Sequence, residues 1–170
     1  VDIRMGEIRG LIGENGSGKS TFSSIIAGAL EKDEAEITLR GEKYAPTSMV
    51  DAQDHGVAMI VQEAGTLPGI DVASNIFAGR LERFSRLGFL NWKKIYEEAD
   101  AILDEIGVPE IRGRMNIEQL NFEDRKIVEI ARAMASHPEI LIIDETTTAL
   151  ATKGRKIIYD LIQRMHKENK

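Results

Sequence analysis

Residues Gly13-Glu14-Asn15-Gly16-Ser17-Gly18-Lys19-Ser20 have the spacing of a glycine-rich loop that cradles phosphates. Glycines let the backbone curl so that successive N–H groups face phosphate oxygens. A helix that starts at Lys19 would aim the positive end of its dipole at the same anion. In this layout Lys19 holds the β- and γ-phosphates and the Ser20 hydroxyl ligates Mg²⁺, with Thr21 next in the helical turn. The bland alternative is a glycine-rich turn with a surface lysine. A strand before the loop and a helix after it favour the phosphate reading.

A second group of chemical interest is Ile140-Leu141-Ile142-Ile143-Asp144-Glu145, an apolar run that ends in two acids. In α/β sheets ligands bind at the carboxyl ends of strands. Asp144 is then placed to serve Mg²⁺, directly or through water, and Glu145 to polarise an attacking water as general base. Alone, such a pair reads equally well as a strand that ends in solvated acids. A phosphate loop in the same chain tips the balance towards chemistry.

The elements that must position these groups can be read from periodicity. Glu7–Ile12 reads as a short strand and Lys19–Leu30 as a helix with Phe22, Ile25, Ile26 and Ala29 at helical spacing. Glu36–Tyr44 reads as a small hairpin, and Thr47 or Ser48 as the cap of a short helix ending near Gly56. Val57–Val61 and Ile140–Ile143 suit buried strands of a parallel sheet. After a looser stretch that carries Pro68, Asn91 caps an amphipathic helix whose stripe is Trp92, Ile95, Tyr96, Ala99, Ile102, Leu103 and Ile106, ended by Gly107. Further helices are expected from near Asn121 to Ser136 and from Thr152 to Lys167. Strands alternating with helices imply an α/β fold with a mainly parallel sheet.

Composition narrows the function classes. The chain has 170 residues, 42% hydrophobic and 29% charged, and a net charge of −6. This is an ordinary globular balance, with no basic block of the kind a dedicated nucleic-acid binder carries. The chain has 0 cysteines, which removes disulfides, thiolate catalysis and Cys-type zinc sites. No apolar run approaches the ~20 residues that a membrane span requires.

With these motifs together, the sequence resembles the ATP-binding subunits of ABC transporters over nearly its whole length. The resemblance implies a P-loop NTPase (RecA-like) core with a small antiparallel β element and a helical subdomain. It assigns about 1–31, 57–62 and 137–170 to the core, 32–56 to the β region, and 63–136 to the helical part with the signature helix. It implies ATP and Mg²⁺ bound at Gly13 to Thr21, Gln62 and Asp144. Gln62 matches the family's Q-loop glutamine, which reaches Mg²⁺ and the water, and Thr148-Ala149-Leu150 stand where the D-loop should be. Within the family, Val72–Arg80, Phe89-Leu90-Asn91-Trp92 and Ile127–Ala133 look like the N-terminal nucleotide-binding domain of bacterial monosaccharide importers. The resemblance implies a second ATPase domain and membrane permease subunits as partners, neither nucleic acid binding nor direct membrane insertion, and a place on the cytoplasmic face of the membrane. A soluble ABC-type ATPase of DNA repair or translation is one rival class. A non-hydrolysing ATP-binding regulatory domain is the other.

The sequence departs from the family at the signature. Where LSGGQ is usual, it reads Leu120-Asn121-Phe122-Glu123-Asp124. Asn121 is a good N-cap and the acids suit a first turn, but the same acids repel an incoming phosphate. This signature is therefore expected not to support hydrolysis in trans. Thr146 replaces a usual proline, and Ala151 stands where the wider family often has Asp. His166 sits in a polar helix end and is expected to be a surface residue rather than the family's switch histidine. Against the family's motif order the chain looks cut at both ends, without the adenine-stacking aromatic or the switch histidine. Weak nucleotide binding and poor hydrolysis are the corresponding expectations for the isolated chain.

Overall fold

The computed structural model describes residues 1–34, 36–60, 65–144 and 152–170. Its organising unit is a parallel pair, β3 (Val57–Ile60) and β6 (Ile140–Ile143), in register Val57↔Ile140 through Ile60↔Ile143. Alternate residues of a strand face opposite sides, so the pair separates two cores. Ala58, Ile60, Leu141 and Ile143 join the larger core, and Val57, Ile140 and Ile142 the smaller.

The smaller core closes over the hairpin β1 (Thr38–Leu39) and β2 (Glu42–Lys43). Arg40 and Gly41, at φ 53° and 81°, form its two-residue turn. Such a primed turn matches the strand twist. Helix α2 (Met49–Asp54) follows, with the Ser48 side chain accepting from the Asp51 N–H. The Tyr44 hydroxyl donates to the Ile26 carbonyl at 2.8 Å. Burial pushes the Tyr44 phenol up to about 12.

The larger core is helical. Helix α3 (Val72–Ile76), which the looser stretch of sequence conceals, is buried at every position. The hairpin β4 (Ser85–Arg86) and β5 (Phe89–Leu90) leads into α4 (Trp92–Glu105), capped by Asn91 as expected. Helix α5 (Phe122–Met134) starts at the Asn121 cap, and α6 (Thr152–Lys167) closes the chain. Residues 113–117 are pinned across α3, with Val72 N–H to Met115 carbonyl at 2.9 Å and Ala73 N–H to Gly113 carbonyl at 3.0 Å.

Four expectations fail for physical reasons. Glu7–Ile12 is not a strand: it has no ladder partner among the described residues, and Ile8, Leu11 and Ile12 are 59%, 46% and 96% exposed. A β-competent sequence without a neighbour to pair with remains extended coil. Strand β6 is half-buried rather than buried, because only β3 flanks it among the described residues. Helix α1 covers Lys19–Ile26 and stops short of Leu30. Gly28, at φ 70°, turns the chain where a Cβ would lie 2.4 Å from the Ser48 carbonyl oxygen. Trp92 leaves the apolar stripe of α4 at its first turn and is 43% exposed.

Candidate functional site

The Gly13–Ser20 loop opens helix α1 as expected, but the strand expected before it is absent among the described residues. Ser17 N–H donates to the Glu14 carbonyl at 3.1 Å, and Gly16 and Gly18 take φ of 80° and 88°. Those left-handed positions are open to glycine without strain. Lys19 Nζ folds back onto the loop and donates to the carbonyls of Gly13 and Glu14, both at 2.9 Å. The ammonium is thus held at the mouth of the loop. Gly13 lies so close to Ser17 that a Cβ would sit 2.6 Å from its Oγ. Gly18 is the N-cap of α1 and supplies no side-chain acceptor. The first turn at Lys19, Ser20 and Thr21 therefore has no side-chain cap, an arrangement that leaves its N–H groups available to an anion. Asn15 completes the exposed rim.

Asp144 stands at the carboxyl end of β6, and its N–H donates to the Ile60 carbonyl at 3.2 Å. The parallel register puts the carboxyl ends of β3 and β6 side by side, at the edge where α/β sheets hold ligands. Gln62 and Glu145 lie outside the described residues, as do Thr146, Thr148, Ala149, Leu150 and Ala151. Among the described residues no cluster of three or more His, Asp and Glu could hold a metal ion by itself. Mg²⁺ does not need one, since it binds through one or two protein oxygens together with substrate phosphates and water. Ser20 and Asp144 have the right donor chemistry for that role.

The segment Leu120–Asp124 forms the start of α5. Asn121 Oδ1 accepts from the Asp124 N–H at 2.9 Å, and Asn121 Nδ2 donates to Asp124 Oδ2 at 2.8 Å. Arg125 Nε donates to the Leu120 carbonyl at 3.0 Å. Phe122 is 66% exposed, with Lys126 Nζ 5.8 Å from its ring centroid. Both acids of this segment are engaged with α6. Glu123 Oε1 accepts from the Gly154 N–H at 3.2 Å, and Asp124 Oδ1 lies 3.5 Å from Lys153 Nζ. Lys153 also donates to Glu110 at 2.5 Å, a bond that raises the Lys153 ammonium above its ordinary value and lowers the Glu110 carboxyl. The Glu123 and Asp124 carboxylates thus serve as a cap and clamp on α6, a role the sequence did not reveal. Below them, Lys126 and Glu129 form a buried ion pair at 3.0 Å. Burial raises the Glu129 carboxyl despite that partner.

Two further residues tie α3 to α5. Asn75 is 0% exposed, and its side chain accepts from the Leu67 N–H at 2.7 Å. It donates to the carbonyls of Leu67 and Asp71 at 3.1 and 3.0 Å. Arg132 of α5 reaches across, with Nε to the Asn75 carbonyl at 2.7 Å and Nη2 to Asn75 Oδ1 at 3.2 Å. Their signal in sequence was a polar Asn inside the apolar run Val72-Ala73-Ser74-Asn75-Ile76-Phe77, since a buried amide needs partners. His166 is exposed, as expected, with Nδ1 2.7 Å from the Gly6 carbonyl oxygen.

A glycine loop opening a helix, a parallel strand pair ending in an acid, and a helical layer behind define an ATP-binding cassette of the P-loop class. A nucleotide-free ATP-binding cassette from an ABC transporter superposes with a TM-score of 0.78 over 99% of this chain and 70% of its own, at 20% identity. The ABC transporter family model matches residues 1–148, and the chain belongs to that family. The ribose import ATP-binding protein RbsA of Caldanaerobacter subterraneus is 40% identical over 100% of this chain and 34% of its own length. Its namesake in Rhodopirellula baltica is 37% identical over 99% of the chain and 32% of its own. The chain therefore spans about a third of the length of these curated relatives.

Proposed function

We propose that this chain is the ATP-binding unit that powers an ABC importer of sugars, acting at the cytoplasmic face of a membrane with a second ATPase domain and permease subunits. The observation that carries the reading is the phosphate loop, in which two glycines at positive φ and Lys19 held on the Gly13 and Glu14 carbonyls leave the first turn of α1 uncapped. Sugar as cargo rests on the ribose importers to which the chain is similar.

In this reading the N–H groups of Gly16 to Thr21 and the Lys19 ammonium bind the β- and γ-phosphates of ATP. Ser20 and Asp144 would hold the Mg²⁺ that accompanies the nucleotide, and the ion would supply neutralisation of phosphate charge. Gln62 orients the water and Glu145 accepts its proton. ATP binding closes two such domains on each other, and hydrolysis releases them. The acids at Glu123 and Asp124 favour a partner domain with a better signature. They are committed to Gly154 and Lys153, and a γ-phosphate approaching α5 would meet carboxylates where small residues are usual. Turnover in the complete assembly that is lost in Glu145→Gln supports this function. ATP binding without turnover there would favour a regulatory domain.

A further inference from the structure

The β4–β5 hairpin belongs to no part of the nucleotide site. Its root is fixed. Phe84 is buried, Leu90 packs on the larger core, and the Asn91 N–H donates to the Phe84 carbonyl at 3.1 Å. The Arg83 guanidinium lies 4.9 and 4.7 Å from the ring centroids of Phe77 and Phe84, and it pairs with Glu98. The tip is the opposite. Leu87 and Gly88 form a two-residue turn at φ 53° and 82°. Leu87 is 92% exposed, Phe89 80%, and Trp92, at the start of α4, 43%. A leucine in left-handed backbone and in water serves neither turn nor core, since Asn or Gly adopts that conformation with less strain. An apolar tip that folding does not require points to an outside surface.

Charge selects which surface. Residues 80–94 contain Arg80, Arg83, Arg86, Lys93 and Lys94 against the single acid Glu82, in a chain of net charge −6. Arg80 and Arg83 pair with Asp54 and Glu98. Among the described residues Lys93 makes only an exposed 3.8 Å pair with Glu97. Arg86, Lys93 and Lys94 are left beside the apolar tip, and Arg86 stands directly opposite Phe89 in the ladder, on the same face. A protruding finger of Leu, Phe and Trp flanked by cations fits an anionic bilayer surface, with the rings at the acyl boundary and the cations among headgroups. The negative charge elsewhere opposes this little, because exposed charges beyond about 8 Å are screened at physiological salt.

We propose that Ser85–Leu90 and the first turn of α4 rest on an anionic lipid surface, touching the bilayer without spanning it. The inference rests on the reading of the chain as part of a membrane transporter, and adds a lipid contact to it. Trp92 is the chain's 1 tryptophan, so its emission reports the contact. Vesicles of phosphatidylcholine mixed with phosphatidylglycerol should shift that emission to the blue, and brominated acyl chains should quench it. Vesicles of phosphatidylcholine alone should do little. Leu87→Asn suits the turn, so it tests the tip without unfolding it. That change, or Phe89→Ser, should lower partitioning roughly tenfold. Arg86→Gln and Lys94→Gln should each lower it about fivefold, and added salt should weaken binding. No response to anionic vesicles, equal binding to both kinds, or unchanged binding by Leu87→Asn would overturn the proposal. So would protection of the tip by purified permease in detergent while vesicles leave it exposed, which would assign the finger to a protein. ATP binding measured on the same samples separates the two readings. Lys19-dependent ATP binding without vesicle binding defeats only the lipid contact, and the reverse result defeats only the ATP-binding reading.

Discussion

Replacing Asn75 by alanine should loosen the link between α3, the segment at Leu67 and α5. The side chain makes four hydrogen bonds: from the Leu67 N–H at 2.7 Å, to the Leu67 carbonyl at 3.1 Å, to the Asp71 carbonyl at 3.0 Å, and from Arg132 Nη2 at 3.2 Å. Leu67 is 49% exposed, so water replaces much of what its backbone loses. The Asp71 carbonyl and the Arg132 guanidinium are less accessible and carry more of the cost. Arg132 keeps its 2.7 Å bond to the Asn75 carbonyl, which limits the loss. At about 1 kcal/mol net for a neutral bond and somewhat more for a charged donor, the sum is roughly 2–4 kcal/mol. At about 2–4 °C per kcal/mol for a domain of this size, Tm should fall by roughly 4–16 °C. Thermal denaturation followed by circular dichroism measures this, and amide exchange at Leu67 provides the local readout. Asn75→Asp keeps the acceptor but sets a carboxylate oxygen against the Leu67 and Asp71 carbonyls at a buried site, so it should destabilise at least as much as alanine. A Tm within a degree of wild type, with Leu67 exchange unchanged, would refute the reasoning.

Lys126→Met removes one partner of a buried pair and should cost about 3–5 kcal/mol at neutral pH, whereas Lys126→Met with Glu129→Leu should recover most of that. Because burial raises the Glu129 carboxyl above its unfolded value, the cost of keeping it charged disappears as pH falls through the folded value, so the Lys126→Met deficit should shrink on acidification. Urea melts at neutral and acid pH measure both effects, and a deficit independent of pH would count against a charged Glu129. Gly28→Ala should destabilise by about 2–4 kcal/mol, because the residue is left-handed and its Cβ meets backbone, whereas Gly13→Ala meets only a rotatable hydroxyl and should spare Tm while weakening nucleotide binding. Glu123→Ala removes the acceptor at the Gly154 N–H and should lower Tm by a few degrees through a loss of about 1 kcal/mol.

The parts legible in sequence are those set by local chemistry. The Ser48, Asn91 and Asn121 caps, the Arg40-Gly41 turn and the loop from Gly13 to Ser20 each follow from a few adjacent residues, and the structure has them. What failed depended on distant partners. Glu7–Ile12 has a strand's composition and no strand beside it among the described residues. Trp92 fits the periodicity of α4, yet it lies beyond the edge of the core, next to the hairpin. The pairing of Glu123 and Asp124 with Gly154 and Lys153 joins residues about thirty apart, and no local pattern announces it. Asn75 was the intermediate case: an amide among apolar neighbours signals a buried network but not its members.

The central claim is that Gly13–Thr21 binds the phosphates of ATP through the backbone of its loop and the Lys19 ammonium. Isothermal titration of this chain with ATP and Mg²⁺, beside Lys19→Ala, tests it most directly. Among the described residues Lys19 bonds only to exposed loop carbonyls, so the substitution should leave Tm unchanged. The account predicts saturable, Mg²⁺-dependent binding by wild type that weakens at least ~10-fold in Lys19→Ala, the loss of one charge-assisted contact. Equal affinity in the two proteins, with both folded, would contradict it.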